Sequence, residues 1–212
     1  MVRRQSEYES REVIIRGVEL AKEAAEGTGV KTALSLGPIP ELLEPYGDLT
    51  EEEAAALYRE MLQAGMEAGA DMIFLATFTD LRMMQVAAGE ARKYPVPVYC
   101  MLSFEKSGRT MMGQSVREIC QGLSAYEIDG IGMNCSLGPQ EALPVIREFA
   151  EYTDLPILAK PNAGIPGKTE TSERFAELLR PVFPLLSLLG GCCNCNASYI
   201  RALRRSMKDM PG

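Results

Sequence analysis

The amino-acid sequence predicts an α/β fold of the (β/α)8 TIM-barrel type, shortened at its N-terminus to about six βα units. Three observations lead there. Six short runs are apolar almost throughout, as parallel strands buried on both faces should be. Longer amphipathic segments separate them. The runs recur at roughly 25–40 residues, the spacing of βα repeats in such barrels. No linker or low-complexity stretch divides the chain, so residues 1–212 read as one domain.

The elements follow in order. The segment "REVIIRGVELAKEAA" carries Val13, Ile14, Val18, Leu20 and Ala21 and predicts a helix. In a barrel such a helix follows a strand, and none precedes it in this sequence. The predicted strands are 32–38, 71–78, 96–104, 128–136, 155–162 and 185–193. Thr50 and Glu53 form a capping box, with Ala54, Leu57, Met61, Ala64 and Ala68 as the apolar stripe of the helix behind it. Further helices are predicted at about 140–152, at 172–179 and from about Ala197. The last carries Tyr199, Ile200 and Leu203 on one side, with Arg201, Arg204 and Arg205 near its end, where cations complement the dipole. Gly37-Pro38 is a strand-ending turn.

Composition bounds the function. The 212 residues are 46% hydrophobic and 24% charged, ordinary values for a globular chain with a sizeable core. A net charge of −7 argues against a nucleic-acid or anionic-membrane surface. No apolar run approaches the roughly 20 residues of a membrane helix. The opening "MVRRQSEYESREVIIRG" is too charged for a signal peptide, so a cytoplasmic, reducing location is expected. The chain has no histidine, which removes the commonest general base and the commonest zinc nitrogen ligand.

Sites in barrels and open α/β sheets form at the C-terminal ends of strands. Those ends carry Thr77 to Asp80, Ser103 to Glu105, Asn134 to Ser136, Lys160 to Gly164, and Gly190 to Cys193. Cys135 and the Cys192–Cys193 pair therefore share one face. Three thiolates around a point are a zinc-like set with one tetrahedral position left open. A substrate thiol there would lose its proton to the metal and need no histidine base. Gly190 and Gly191 are expected to free the backbone so that both adjacent cysteines turn inward. Two other readings stand beside this one: buried packing of small thiols, and a strained Cys192–Cys193 disulfide. Cys100 and Cys120 read as packing residues. Cys195 reads as a spectator, placed in the first turn of the last helix where the dipole would lower its pKa.

The stretches "GIGMNCSLGP" (130–139), "AKPNAGIP" (159–166) and "LGGCC" (189–193) resemble, in order and spacing, motifs of the homocysteine S-methyltransferase family. "LEPYGDLTEEEAAALYREML", "AGADMIFLATFTDL" and "SFEKSGRT" agree as well, and the resemblance runs from about residue 12 to 208. It implies zinc held by Cys135, Cys192 and Cys193, with a homocysteine-type thiolate as methyl acceptor. It places Asn162 beside the metal, as an oxygen ligand or substrate contact, and marks Thr77 and Asn134 as further substrate contacts. The donor it implies is a methyl-corrinoid, free or on a corrinoid protein, or a sulfonium or ammonium compound.

The departures define the open questions. The family's first two strands, with an Asp-Gly motif, have no counterpart in the sequence. Ala76 stands where the family has a glutamate for the substrate's amino group, and "GGCCNCN" replaces "GGCCGT". With Ala76 in that place, the acceptor expected from the resemblance is a small thiol, homocysteine or a related one. An N-terminal partner subunit or a second copy is expected to cover the open sheet edges. The alternative is a zinc-binding accessory subunit, or a degenerate relative without turnover. A Schiff-base lyase using Lys160 is a third reading. Asp80 and Glu105 are candidates for an acid–base pair or, more simply, for a helix cap and a solvated rim. Met83-Met84 and Met111-Met112 read as core.

Overall fold

Each apolar run becomes a strand and each amphipathic segment a helix. The computed structural model describes residues 10–165 and 168–208. In chain order these form α1 (Ser10–Ala25), β1 (Ala33–Leu36), α2 (Glu51–Glu67), β2 (Met72–Phe78), α3 (Leu81–Ala91), β3 (Val98–Leu102), α4 (Val116–Leu123), β4 (Gly130–Asn134), α5 (Pro139–Tyr152), β5 (Ile157–Lys160), β6 (Gly164–Ile165), β7 (Lys168–Thr169), α6 (Ser172–Leu179), β8 (Leu188–Leu189) and α7 (Ala197–Lys208). Six strands pair in parallel in the order β1-β2-β3-β4-β5-β8, a curled sheet with alternating helices. Among the described residues the outer sides of β1 and β8 have no strand partner.

The sheet has two unlike faces because side chains alternate. Leu34, Leu36, Ile73, Leu75, Leu102, Ile131, Met133, Ile157 and Ala159 point towards the helices and join the main core. Cys100 is buried among them, and Met83 and Met84 reach the same core from α3. The inner face holds a second, smaller cluster of Phe74, Ala76, Met101 and Leu158, flanked by Ala33, Met72, Tyr99 and Leu188. Gly132 lets β4 and β5 approach there, since a Cβ would fall 1.8 Å from the Leu158 carbonyl oxygen.

Local chemistry sets the helix starts. The capping box at α2 is formed in both directions: the Glu53 N–H donates to Thr50 Oγ1 at 3.2 Å and the Thr50 N–H to Glu53 Oε2 at 3.0 Å. Ser115 and Glu118 repeat it at α4. Asp80 caps α3 by accepting the Arg82 N–H at 3.0 Å.

Several expectations are corrected. The buried stripe of α2 is Ala54, Tyr58, Leu62, Ala64 and Gly65, so Ala54 and Ala64 are buried as expected while Leu57, Met61 and Ala68 are half-buried. The helix turns this way because Tyr58 reaches the end of β1, donating to the Gly37 carbonyl and accepting the Ile39 N–H, both at 3.2 Å. On α7, Ala202 joins Tyr199 and Leu203 in the core, and Ile200 is 48% exposed. The sixth strand shrinks to Leu188–Leu189: at its start Leu185 still belongs to a 3-10 segment, Arg180–Leu185, that carries Pro181 and Pro184, and at its end the regular strand stops before Gly190. The β6–β7 hairpin after Asn162 had no signal in the apolar pattern. Met111 is 71% exposed and lies outside the core.

Candidate metal centre

The centre is assembled by backbone pairing that continues past the ends of β4, β5 and β8. The Cys135 N–H donates to the Lys160 carbonyl at 3.0 Å, extending β4 along β5. On the other side of β5, the N–H groups of Gly190 and Cys192 donate to the carbonyls of Ala159 and Pro161, each at 2.9 Å. The Ala163 N–H closes the frame on the Cys193 carbonyl at 3.0 Å. Cysteines far apart in sequence are thereby fixed on either side of one central segment.

The side chains converge. The sulfurs of Cys135, Cys192 and Cys193 all lie within 4.8 Å of one another, and Cys135 Sγ is 3.5 Å from Cys193 Sγ. Three sulfurs on a tetrahedral zinc at about 2.3 Å would sit about 3.8 Å apart. The set fits the base of such a tetrahedron, and its donor chemistry suits a soft or borderline divalent ion.

The turn at Cys135 is sharp because Cys135 and Ser136 both adopt left-handed φ, 62° and 56°. Asn194 does the same at 65°, immediately after the vicinal pair. This corrects the expectation for Gly190 and Gly191, neither of which is among the positive-φ residues. Gly191 is a glycine for lack of space, and Gly190 is closely approached by a lysine stem. A Cβ on Gly190 would lie 3.3 Å from Lys160 Cγ, and one on Gly191 would lie 2.5 Å from Cys195 Sγ.

Two asparagines brace the cysteines. Asn162 Oδ1 accepts the Cys193 N–H at 3.0 Å. Asn134, 2% exposed, accepts the Thr77 N–H at 2.7 Å and donates to Thr77 Oγ1 at 2.8 Å, and its Nδ2 lies 3.9 Å from Cys192 Sγ. The structure thus brings Thr77, Asn134 and Asn162 to the three thiols. Ser103, not singled out from the sequence, adds a hydroxyl donating to the Asn134 carbonyl at 2.8 Å. Asn194 Nδ2 donates to the Gly164 carbonyl at 3.2 Å, tying the cysteine turn to the β6–β7 hairpin. A polar residue inside an apolar run (Ser103) and an asparagine after paired cysteines were the available signals.

The thiols differ electrostatically. Burial pushes Cys135 up, but hydrogen bonds from the Ser136 backbone, Cys193, Cys192 and Asn162 outweigh it and set it below the ordinary thiol value. Cys193 is pushed up to about 11, chiefly by its hydrogen bond to Cys135 and that group's charge. Cys195 lies two residues before α7 rather than in its first turn, and burial raises it on balance, against the expected lowering. Burial also raises Cys100, and raises Cys120 to about 11, as packing thiols. Asp80 is engaged as a helix cap. Glu105 lines a recess of about 420 Å³ with Ser103, Ser136, Glu141 and Glu170 beside the Cys135 turn.

A curled parallel βα sheet of six strands is a shortened TIM-barrel type of fold, and the three thiols converging at its strand ends could hold a metal ion. The sequence matches the homocysteine S-methyltransferase family over residues 2–207, and the chain belongs to that family. Among solved structures it is similar to the homocysteine methyltransferase MmuM from Escherichia coli in three forms. The apo form is 23% identical, with a TM-score of 0.75 over 93% of this chain and 73% of that one. The oxidized form is 21% identical, with a TM-score of 0.75 over 92% and 70%. The metallated form is 22% identical, with a TM-score of 0.75 over 93% and 71%. At that identity the likeness establishes the fold. No described helix is long and apolar enough to cross a membrane.

Proposed function

We propose that this single-domain chain is a zinc-dependent S-methyltransferase that passes a methyl group to a small thiol, homocysteine or a related compound. The observation that carries the reading is the convergence of Cys135, Cys192 and Cys193 at the strand ends of a homocysteine S-methyltransferase-family fold. Family membership and the existence of a metallated form of MmuM both support it. Cys135, Cys192 and Cys193 would hold the ion. When bound, it supplies acidity: a thiol in the fourth position would be a thiolate near neutral pH.

The chain itself contributes alignment. Asn162 fixes Cys193 through its N–H. Asn134 fixes Thr77 and approaches Cys192, so the two asparagines help to set the positions of two of the three cysteines. The acceptor sulfur gains the methyl group, the donor leaves with the bonding electron pair, and the thiol proton goes to solvent. A methyl-corrinoid, a sulfonium and a quaternary ammonium compound all satisfy that balance as donor. The unpaired edges of β1 and β8 favour a partner subunit or a second copy in the working assembly. The free thiols suit the cytoplasm.

Metal analysis tests the reading. Protein purified under reducing, zinc-replete conditions should carry about one zinc per chain. Cys135→Ser and Cys192→Ser should lose it, and Cys195→Ser should keep it. A zinc-free wild type would refute the proposal. A second reading, a zinc-holding accessory subunit without turnover, is favoured by Ala76, which leaves β2 without an inward carboxylate. Zinc retention with no thiol-dependent demethylation of any donor, partners included, would select it.

A further inference from the structure

The inner face of the sheet has one formally charged side chain. Its described positions are Ala33, Ser35, Met72, Phe74, Ala76, Tyr99, Met101, Gly130, Gly132, Asn134, Leu158, Lys160 and Leu188, by the alternation that places Phe74, Ala76, Met101 and Leu158 together. Only Lys160 among them has a formally charged side chain. None of these described positions is an aspartate or glutamate.

Lys160 is also tied to the centre. It pairs in register with Asn134, whose amide lies 3.9 Å from Cys192 Sγ. Its carbonyl accepts the Cys135 N–H. Its stem runs along Gly190, two residues before Cys192, and a Cβ there would lie 3.3 Å from Lys160 Cγ. The ammonium rests over the Phe74 ring, 5.8 Å from the centroid, and Phe74 neighbours Ala76 on the inner side of β2. Among the described residues Lys160 forms no salt bridge, whereas Lys93 and Lys106 do.

We infer that Lys160 is the specificity-determining residue of the acceptor site, binding an anionic group on the thiol, so that the preferred acceptor is a short anionic thiol rather than one recognised by its ammonium. This rests on the proposed metal centre. A thiol held by its sulfur at the three cysteines has its short carbon chain over the inner face. A carboxylate or similar anion at the far end meets the one cation there. An ammonium on that face meets an apolar wall and a lysine, and none of the face's described positions offers a carboxylate, so its lost hydration is uncompensated there. Gly190 leaves room for the lysine stem, and the Phe74 ring gives the free ammonium a resting place.

The test is calorimetric binding of four thiols of similar length to the zinc-loaded protein: 3-mercaptopropionate, 2-mercaptoethanol, 2-mercaptoethylamine and homocysteine. In the wild type the anionic thiol should bind about tenfold tighter than the neutral one, as one charge-assisted contact provides. The cationic thiol should bind weakest, and homocysteine should gain nothing over 3-mercaptopropionate. Lys160→Met should abolish the advantage of the anion while leaving 2-mercaptoethanol binding unchanged. Lys160→Arg should retain the advantage. Equal binding of the anionic and neutral thiols by the wild type would overturn the inference and leave the metal centre standing. So would an anion preference that persists in Lys160→Met. If the zinc-loaded wild type binds none of the four, the metal-centre reading falls and takes this one with it. The wild-type series decides the matter even if a variant fails to fold.

Discussion

Replacing Asn134 with alanine tests the idea that the centre is held by a side-chain clamp rather than by the sheet alone. Asn134 is buried at the end of β4 and makes two short hydrogen bonds to Thr77, one from the Thr77 N–H at 2.7 Å and one to Thr77 Oγ1 at 2.8 Å. Losing both removes about 1 kcal/mol each, and stranding the Thr77 N–H adds about 1 more. Thr77 sits at φ 67°, a left-handed conformation. For a β-branched residue that stores roughly 1 kcal/mol, part of which is released once the clamp is gone. The expected net loss for Asn134→Ala is therefore about 2–3 kcal/mol. Urea unfolding of the reduced, metal-free protein measures it as a lowered midpoint with unchanged slope. Thr77→Gly alone should be nearly neutral, because relief of strain offsets the lost hydroxyl contact. In the Asn134→Ala background it should restore the strain that remains, up to about 1 kcal/mol. A loss below about 1 kcal/mol, or no rescue by glycine, would refute the clamp.

Three further expectations follow from particular contacts. In the metal-free protein at neutral pH, iodoacetamide should label half-buried Cys135 before exposed Cys193, because Cys135 lies below the ordinary thiol value and Cys193 at about 11. Peptide mass mapping over time gives the order, and faster labelling of Cys193 would contradict it. Burial pushes Glu90 up, but contacts with Arg59 at 3.1 Å and Lys93 at 2.7 Å outweigh it and lower it on balance. Its contribution is thus present above the unfolded carboxyl value of about 4.3 and lost as pH falls through the lower folded value. Glu90→Gln should cost about 1 kcal/mol at pH 7, since both cations are more than half exposed, and should flatten the acid side of the stability profile. Gly132→Ala should cost about 3 kcal/mol or more, because the new Cβ meets backbone 1.8 Å away, and a melting temperature within a degree of wild type would show that β4 and β5 can part freely.

Much of this was legible in the sequence, and the reasons are specific. Strand positions followed from apolar runs whose burial on both faces leaves no room for polar residues. The capping box at Thr50 followed from two residues at fixed spacing. The three cysteines could be assigned to one face because strand ends in such sheets share a side. The facing of α2 was not legible, since Leu57 and Met61 are as apolar as Leu62. What selects Leu62 and Tyr58 is the hydrogen bond at the end of β1, a contact between distant segments. The reason for the two glycines was also hidden, because a close Cβ contact with Lys160 or a clash with Cys195 exists only once the chain is folded. Cys195 was placed in a helix turn by its nearness to α7, yet the chain enters that helix two residues later.

The distribution of left-handed backbone shows how the centre is built. Of the five non-glycine residues with positive φ among the described residues, four lie at the centre: Thr77, Cys135, Ser136 and Asn194. Glycine would relax each of them, but the side chains of Thr77, Cys135 and Asn194 have tasks glycine cannot do. Thr77 accepts from Asn134, Cys135 supplies a sulfur, and Asn194 donates to the Gly164 carbonyl. Such strain persists only where the surroundings over-determine it. Here the surroundings are the extended pairing on both sides of residues 159–163 and the two asparagine amides. The sheet thus fixes where the turns occur, the asparagines fix their shape, and the sulfurs converge as a consequence. A substitution that spares all three cysteines but frees one amide should therefore loosen the centre as surely as the loss of a thiol.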